Sequence, residues 1–88
     1  MSNNRVKRRT GLKALRERVD LTQAQFAYAV GATEKAVRNW ENVGAIPSFD
    51  KAIAIAKVLG VSLKRLAQEF DLDVEGIPDD SRIESDKN

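Results

Sequence analysis

Helix openers and helix stops alternate along this chain at short intervals, and that punctuation limits what it can fold into. Thr22, Thr33, Ser48 and Ser62 each stand just before a stretch with apolar residues at three- and four-residue steps. A Ser or Thr in that place offers its side-chain oxygen to a free backbone N–H at the start of a helix. Gly31 and Gly60 close two of these stretches, where glycine ends a helix in the left-handed conformation. The intervals leave each helix about two to three turns, too short to persist alone, so tertiary packing must hold them. No strand-like alternation of useful length and no internal repeat is visible. The expected fold class is all-α.

Helical periodicity predicts a first helix over about 11–19, with Thr10 as its cap and Leu12, Leu15 and Val19 on one face. Arg16 and Arg18 fall in its last turn, where cations suit the helix dipole. Thr22-Gln23-Ala24-Gln25 has the form of a capping box, and opens a helix over 23–30 with Phe26, Ala27 and Val30 inward. Thr33 caps a third helix over 34–42, whose inner side is Ala36, Val37 and Trp40. That spacing makes Trp40 a core residue rather than a base-stacking one. Gly44 and Pro47 break the chain, and Ser48 caps a fourth helix with Asp50 in its first turn. Its expected stripe is Phe49, Ala52, Ile53, Ala56 and Leu59. A fifth helix over 63–70 turns Leu63, Leu66, Ala67 and Phe70 inward.

At 88 residues there is room for one domain, and its core is small enough to demand tight packing or dimerisation. The expected organisation is a flexible basic arm over 1–9, a folded unit over 10–70 and an acidic tail over 71–88. Residues 1–70 hold thirteen of the 15 Lys+Arg, against six acids; residues 71–88 hold seven of the 13 Asp+Glu, against two cations. A basic folded part points to a polyanionic partner, nucleic acid first, although mild basicity also serves solubility. With no cysteine and no histidine, disulfides, thiolate metal sites and the commonest general base are excluded. No cofactor, metal or enzymatic activity is expected. No apolar run approaches the ~20 residues of a membrane span, and the basic N-terminus lacks the apolar stretch of a secretory signal. A cytoplasmic setting is the expectation.

The second and third stretches, joined by a tight turn at Gly31, have the local shape of a helix-turn-helix. The close crossing wants a small residue, which Ala27 supplies. The third helix shows Glu34, Lys35, Arg38, Asn39 and Asn42 on its outer face. These supply both donors and acceptors of the major-groove code: Lys toward guanine, Asn toward adenine, Glu toward the cytosine amino group.

The segment LTQAQFAYAVGATEKAVRNWENVGAIPSFDKAIAIAKVLGVSL resembles the Cro/C1-type (phage-repressor-like, XRE) helix-turn-helix family, over about residues 11–70. The marks are Leu21-Thr22-Gln23, Phe26-Ala27, Val30-Gly31, Thr33, Val37, Trp40-Glu41, Pro47-Ser48 and Ala56 through Ser62. The resemblance implies a five-helix, lambda-repressor-like domain whose third helix enters the major groove of duplex DNA, acting as a small transcriptional regulator, a repressor by expectation. It implies that Gln23 touches a phosphate and braces the recognition helix. Thr33 matches a phosphate-contacting cap, and Glu34, Lys35 and Asn39 match base-reading positions. The backbone from Ala45 to Phe49 matches a second phosphate clamp. The chain departs from the pattern where Asn42 and Val43 precede Gly44, so Asn42 is expected to take the left-handed cap. Glu34 is acidic where glutamine is common, so the operator of better-known relatives does not carry over.

Other residues carry weaker expectations. Glu34 and Glu41 are read as local ion-pair partners of Lys35 and Arg38, and Glu41 as a structural hydrogen-bonding residue. Arg16 and Arg18 are expected to affect DNA binding, if at all, uniformly across sequences. Tyr28 lies on the outer side of its helix, near a phosphate or simply on the surface. The arm residues Arg5 to Arg9 either reach a minor groove or only solubilise the chain. A homodimer would use Leu66, Phe70, Leu72 and Ile77. The alternative function is an antitoxin-like interaction module whose acidic tail binds a partner protein or masks the basic face.

Overall fold

The computed structural model describes residues 9–78. Within them the chain forms α1 (Leu12–Arg18), α2 (Gln23–Val30), α3 (Glu34–Asn42), α4 (Phe49–Leu59) and α5 (Leu63–Glu69), and no strand. Most of the expected arm, and the expected partner-binding tail beyond residue 78, lie outside the described residues.

Helix α2 packs on α3 and α4, α5 lies on α4, and α1 crosses α3. Their shared core holds Leu12, Leu15, Phe26, Val30, Val37, Trp40, Ile55, Leu59 and Leu66. Short helices of this kind survive because their buried side chains, two or three from each of α1 to α4 and Leu66 from α5, meet in one cluster.

The turn chemistry follows the sequence in most places. Thr22 and Gln25 form the full capping box: the Gln25 N–H donates to Thr22 Oγ1 at 3.1 Å, and the Thr22 N–H to Gln25 Oε1 at 2.9 Å. Gly31 takes φ 74°, and the following Ala32 N–H reaches back to the Ala27 carbonyl at 2.8 Å. Ser62 accepts from the Arg65 N–H at 3.0 Å.

Several expectations are corrected. On α4 the fully buried side chain is Ile55, while Phe49 is 74% exposed and Ile53 only half-buried. The Phe-Asp-Lys-Ala-Ile-Ala-Ile-Ala stretch offers two apolar faces at helical spacing, and packing against α2 and α5 selects the one through Ala52, Ile55, Ala56 and Leu59. Asn42 is the last helical residue of α3, and Gly44 takes the positive φ, 78°. Without a side chain, glycine meets the smaller steric cost there. Ser48 precedes α4 as expected, but its hydroxyl donates to the Asp50 carboxylate at 2.7 Å instead of accepting from the backbone.

Gly11, not Thr10, is the residue that caps α1, and it makes no side-chain cap hydrogen bond; Thr10, one residue earlier, serves another purpose. Its hydroxyl accepts from the Leu12 N–H at 3.3 Å and donates to the Trp40 carbonyl at 3.0 Å, while its own N–H donates to the Glu41 carbonyl at 3.0 Å. The start of α1 thereby satisfies carbonyls in the last turn of α3, which a helix end otherwise leaves open.

Candidate nucleic-acid interface

Helix α3 has two chemically opposite sides. Its inner side buries Val37 (0% exposed), Trp40 (6%) and Glu41 (2%). Its outer side leaves Glu34, Lys35, Arg38 and Asn42 exposed, with Asn39 half-buried at the boundary. Trp40 is a core residue, as its spacing from Val37 implies. Thr33 caps the helix by accepting from the Ala36 N–H at 3.0 Å. Glu34 sits in the first turn, where an acid suits the positive end of the helix.

The inner side is anchored by charge as well as by apolar packing. Arg16 of α1 is 6% exposed and grips Glu41 with two nitrogens, Nε to Oε2 at 2.6 Å and a terminal nitrogen to Oε1 at 3.1 Å. Its other terminal nitrogen donates to the Leu21 carbonyl at 2.8 Å. Gln23, half-buried at the start of α2, donates its side-chain N–H to Glu41 Oε1 at 3.0 Å. The hydrogen bond to Glu41, opposed by burial and aided by the carboxylate's charge, raises the Arg16 pKa further above its ordinary value. No buried side-chain nitrogen or oxygen among the described residues is left without a partner. A buried ion pair tolerates removal of neither partner once its hydrogen bonds are complete.

Two sequence readings change here. Arg16 is not a surface cation at a helix end but the bidentate partner of Glu41. Glu41 pairs across helices with Arg16 and Gln23, not along α3 with Lys35 or Arg38. The signal was present in the spacing. Arg16 shares the three- and four-residue face of Leu12, Leu15 and Val19, and Glu41 lies four residues beyond Val37 on the inner face of α3. Two opposite charges on two apolar stripes mark a buried pair.

The expected site residues differ in exposure along α2 and α3. Thr33, Glu34, Lys35, Arg38 and Asn42 are exposed along α3; Gln23 and Asn39 are half-buried. Tyr28, on α2, is 90% exposed. The segment from Ala45 to Phe49 is largely exposed as well, but Asp50 stands in the first turn of α4. The Ser48 hydroxyl, chiefly, holds the Asp50 carboxyl below the ordinary aspartate range. Arg9 and Lys13 at the chain's entry share a cavity of about 350 Å³ with Asn42 at the end of α3. Among the described residues no cluster of acids could hold a metal ion.

The helix-turn-helix family profile matches residues 12–66, from the first residue of α1 into α5. The chain belongs to the Cro/C1-type helix-turn-helix family. The family's members are DNA-binding regulators of transcription, and this is the functional class of the chain. No curated protein and no solved structure matches it significantly. No described helix is long and apolar enough to cross a membrane.

Proposed function

We propose that the chain binds duplex DNA sequence-specifically, with α3 in the major groove, and regulates transcription as a repressor. The observation that carries this reading is the division of α3. Its inner side is buried and doubly clamped, so the helix is rigidly presented. Its outer side is a row of largely exposed hydrogen-bonding side chains. Lys35 is assigned to guanine, Asn39 to adenine and Glu34 to a cytosine amino group. Arg38, Asn42 and the hydroxyl proton of Thr33, whose oxygen already accepts from Ala36, face the phosphates. Gln23 contributes a phosphate contact at the start of α2. Occupying the site blocks other proteins from the same groove, which is the simplest route to repression. The compartment that goes with this activity is the cytoplasm.

One α3 reads only a few base pairs, so a symmetric dimer on half-sites about 34 Å apart completes the reading. The surface assigned to the dimer is an apolar groove of about 300 Å³ lined by residues that include Ile46, Phe49, Leu63, Phe70 and Leu72. Of the residues expected at a dimer surface, Leu66 and Phe70 are instead buried in the monomer core at 3% and 7%, and Ile77, 51% exposed, does not line this groove. The exposed apolar side chains along it are Phe49, Ile46 and Leu72, at 74%, 55% and 43%. Apolar side chains this exposed and this close together commonly mark an interface.

Selection of bound sites from random duplexes tests the reading directly. Lys35→Ala and Asn39→Ala should each lose about 1–3 kcal/mol on the selected site and relax the base preference there. Selection that returns no enriched sequence, or variants that bind the enriched site as tightly as the parent, would overturn it. Sedimentation showing a strict monomer both free and on DNA would overturn the dimer.

A further inference from the structure

Glu41 is a poor candidate for touching DNA, since it is 2% exposed and already receives three hydrogen bonds. Its chemistry nevertheless constrains a residue that does reach the surface. An ionised carboxylate only accepts hydrogen bonds. The side chain of Gln23, which touches it at 3.0 Å, must therefore turn its NH₂ toward Glu41 and cannot present its carbonyl there. Amide orientation is usually ambiguous, but an acceptor-only neighbour removes the ambiguity. Arg16 in turn holds the carboxylate still, with bonds of 2.6 and 3.1 Å to its two oxygens.

We propose that Glu41, fixed by Arg16, is a positioning residue for DNA binding: it sets the Gln23 amide so that one N–H is spent on Glu41 and the other is aimed outward at a phosphate. The proposal rests on the DNA-binding reading above and deepens it. The same carboxylate belongs to α3, so the phosphate contact at the start of α2 and the seating of the recognition helix share one rigid anchor. An unclamped glutamine would have to lose rotamer freedom and select one amide face on binding, and both losses weaken the contact.

The test uses the full chain and four variants. Glu41→Gln removes the acceptor-only restriction with the least change of shape. The pair Arg16→Met with Glu41→Leu removes the clamp but replaces it with apolar side chains of similar size, which commonly preserves a fold. Gln23→Ala removes the contact, and a triple variant combines Gln23→Ala with the pair. Each is titrated with a mixed-sequence duplex at low ionic strength, after Trp40 fluorescence has confirmed a cooperative unfolding transition. Gln23→Ala and the Arg16/Glu41 pair should each lose about tenfold in affinity, the worth of one hydrogen bond to a charged group. The triple variant should lose no more than either. The dependence of affinity on salt should keep its slope, because a neutral amide releases no counterions and Arg16 is not at the surface. In the free protein, one Gln23 side-chain amide proton should be shifted strongly downfield, and in Glu41→Gln and in the pair this shift should collapse toward that of the exposed Gln68.

Losses that multiply in the triple variant, or a pair that binds like the parent, would overturn the positioning role. So would Gln23 amide shifts in the parent protein that equal those of Gln68, whatever the DNA titrations show. A parent chain that binds no duplex at all would refute the functional reading itself, and the proposal with it.

Discussion

Removing Arg16 alone should cost this protein about half of its stability or more, whereas removing Arg16 and Glu41 together should cost little. Arg16→Met keeps much of the aliphatic stem and the helix propensity of α1 but deletes three hydrogen bonds, two to Glu41 and one to the Leu21 carbonyl. Glu41 is then a carboxylate at 2% exposure whose remaining side-chain donor is Gln23. Orphaning one member of a buried pair costs about 3–5 kcal/mol. A domain of this size holds roughly 5–10 kcal/mol in total, so the single substitution consumes about half of it or more. At about 4–8 °C per kcal/mol the melting temperature should fall by roughly 15–30 °C. Replacing Glu41 with leucine as well removes the orphan charge and adds apolar packing beside Val37 and Trp40. The pair should return to within about 1 kcal/mol of the parent or exceed it. Urea titration followed by the fluorescence of Trp40, which is 6% exposed, reads all three proteins on one scale. If Arg16→Met lost less than about 1 kcal/mol, or if the pair were as unstable as the single variant, the account of this anchor would be wrong.

The remaining predictions concern the turn, the fourth helix and the exposed carboxyl of Asp50. Gly31→Ala should lose about 1–2 kcal/mol of stability, since φ at that position is 74° and a Cβ there is strained even though its nearest neighbour, the Lys51 amine, would lie 3.4 Å away. Thermal melting checks this, and an unchanged midpoint would contradict it. Measured on the monomer at low protein concentration, Ile55→Ala should lose about 2–5 kcal/mol while Phe49→Ala stays within about 0.5 kcal/mol; equal losses would show that α4 is rotated from the arrangement described. Asp50 should titrate below the ordinary aspartate value of 3.8, because the Ser48 hydroxyl bonds its charged form. The group's folded-state value is depressed, so its contribution to stability is present above the unfolded value and is lost as pH falls through the folded one. A carbon-detected titration reads the midpoint, and Asp50→Asn should tighten duplex binding by removing an anion from the first turn of α4. Weaker binding by that variant would count against a phosphate contact there.

Local chemistry was enough to read the number of helices, their order and most of their ends. Thr22, Gln25 and Thr33 cap as their types and spacings require, and Gly31 and Gly60 close helices in the left-handed conformation. The inward placing of Val37 and Trp40, and hence the outward row from Glu34 to Asn42, also follows from helical period alone. These features depend on bonds and steric limits within a few residues, so the sequence states them directly.

Tertiary structure decided everything that needed a partner from elsewhere in the chain. The α4 stretch is apolar on more than one side, and only the positions of α2 and α5 select Ile55 over Phe49 for burial. Thr10 bonds the carbonyls of Trp40 and Glu41, thirty residues away, which no local cap pattern encodes. Arg16 becomes an anchor rather than a surface cation because α1 crosses α3 where Glu41 faces inward. Burial removes water from both charges at once, and a long-range pair of that kind exists only after the helices have met.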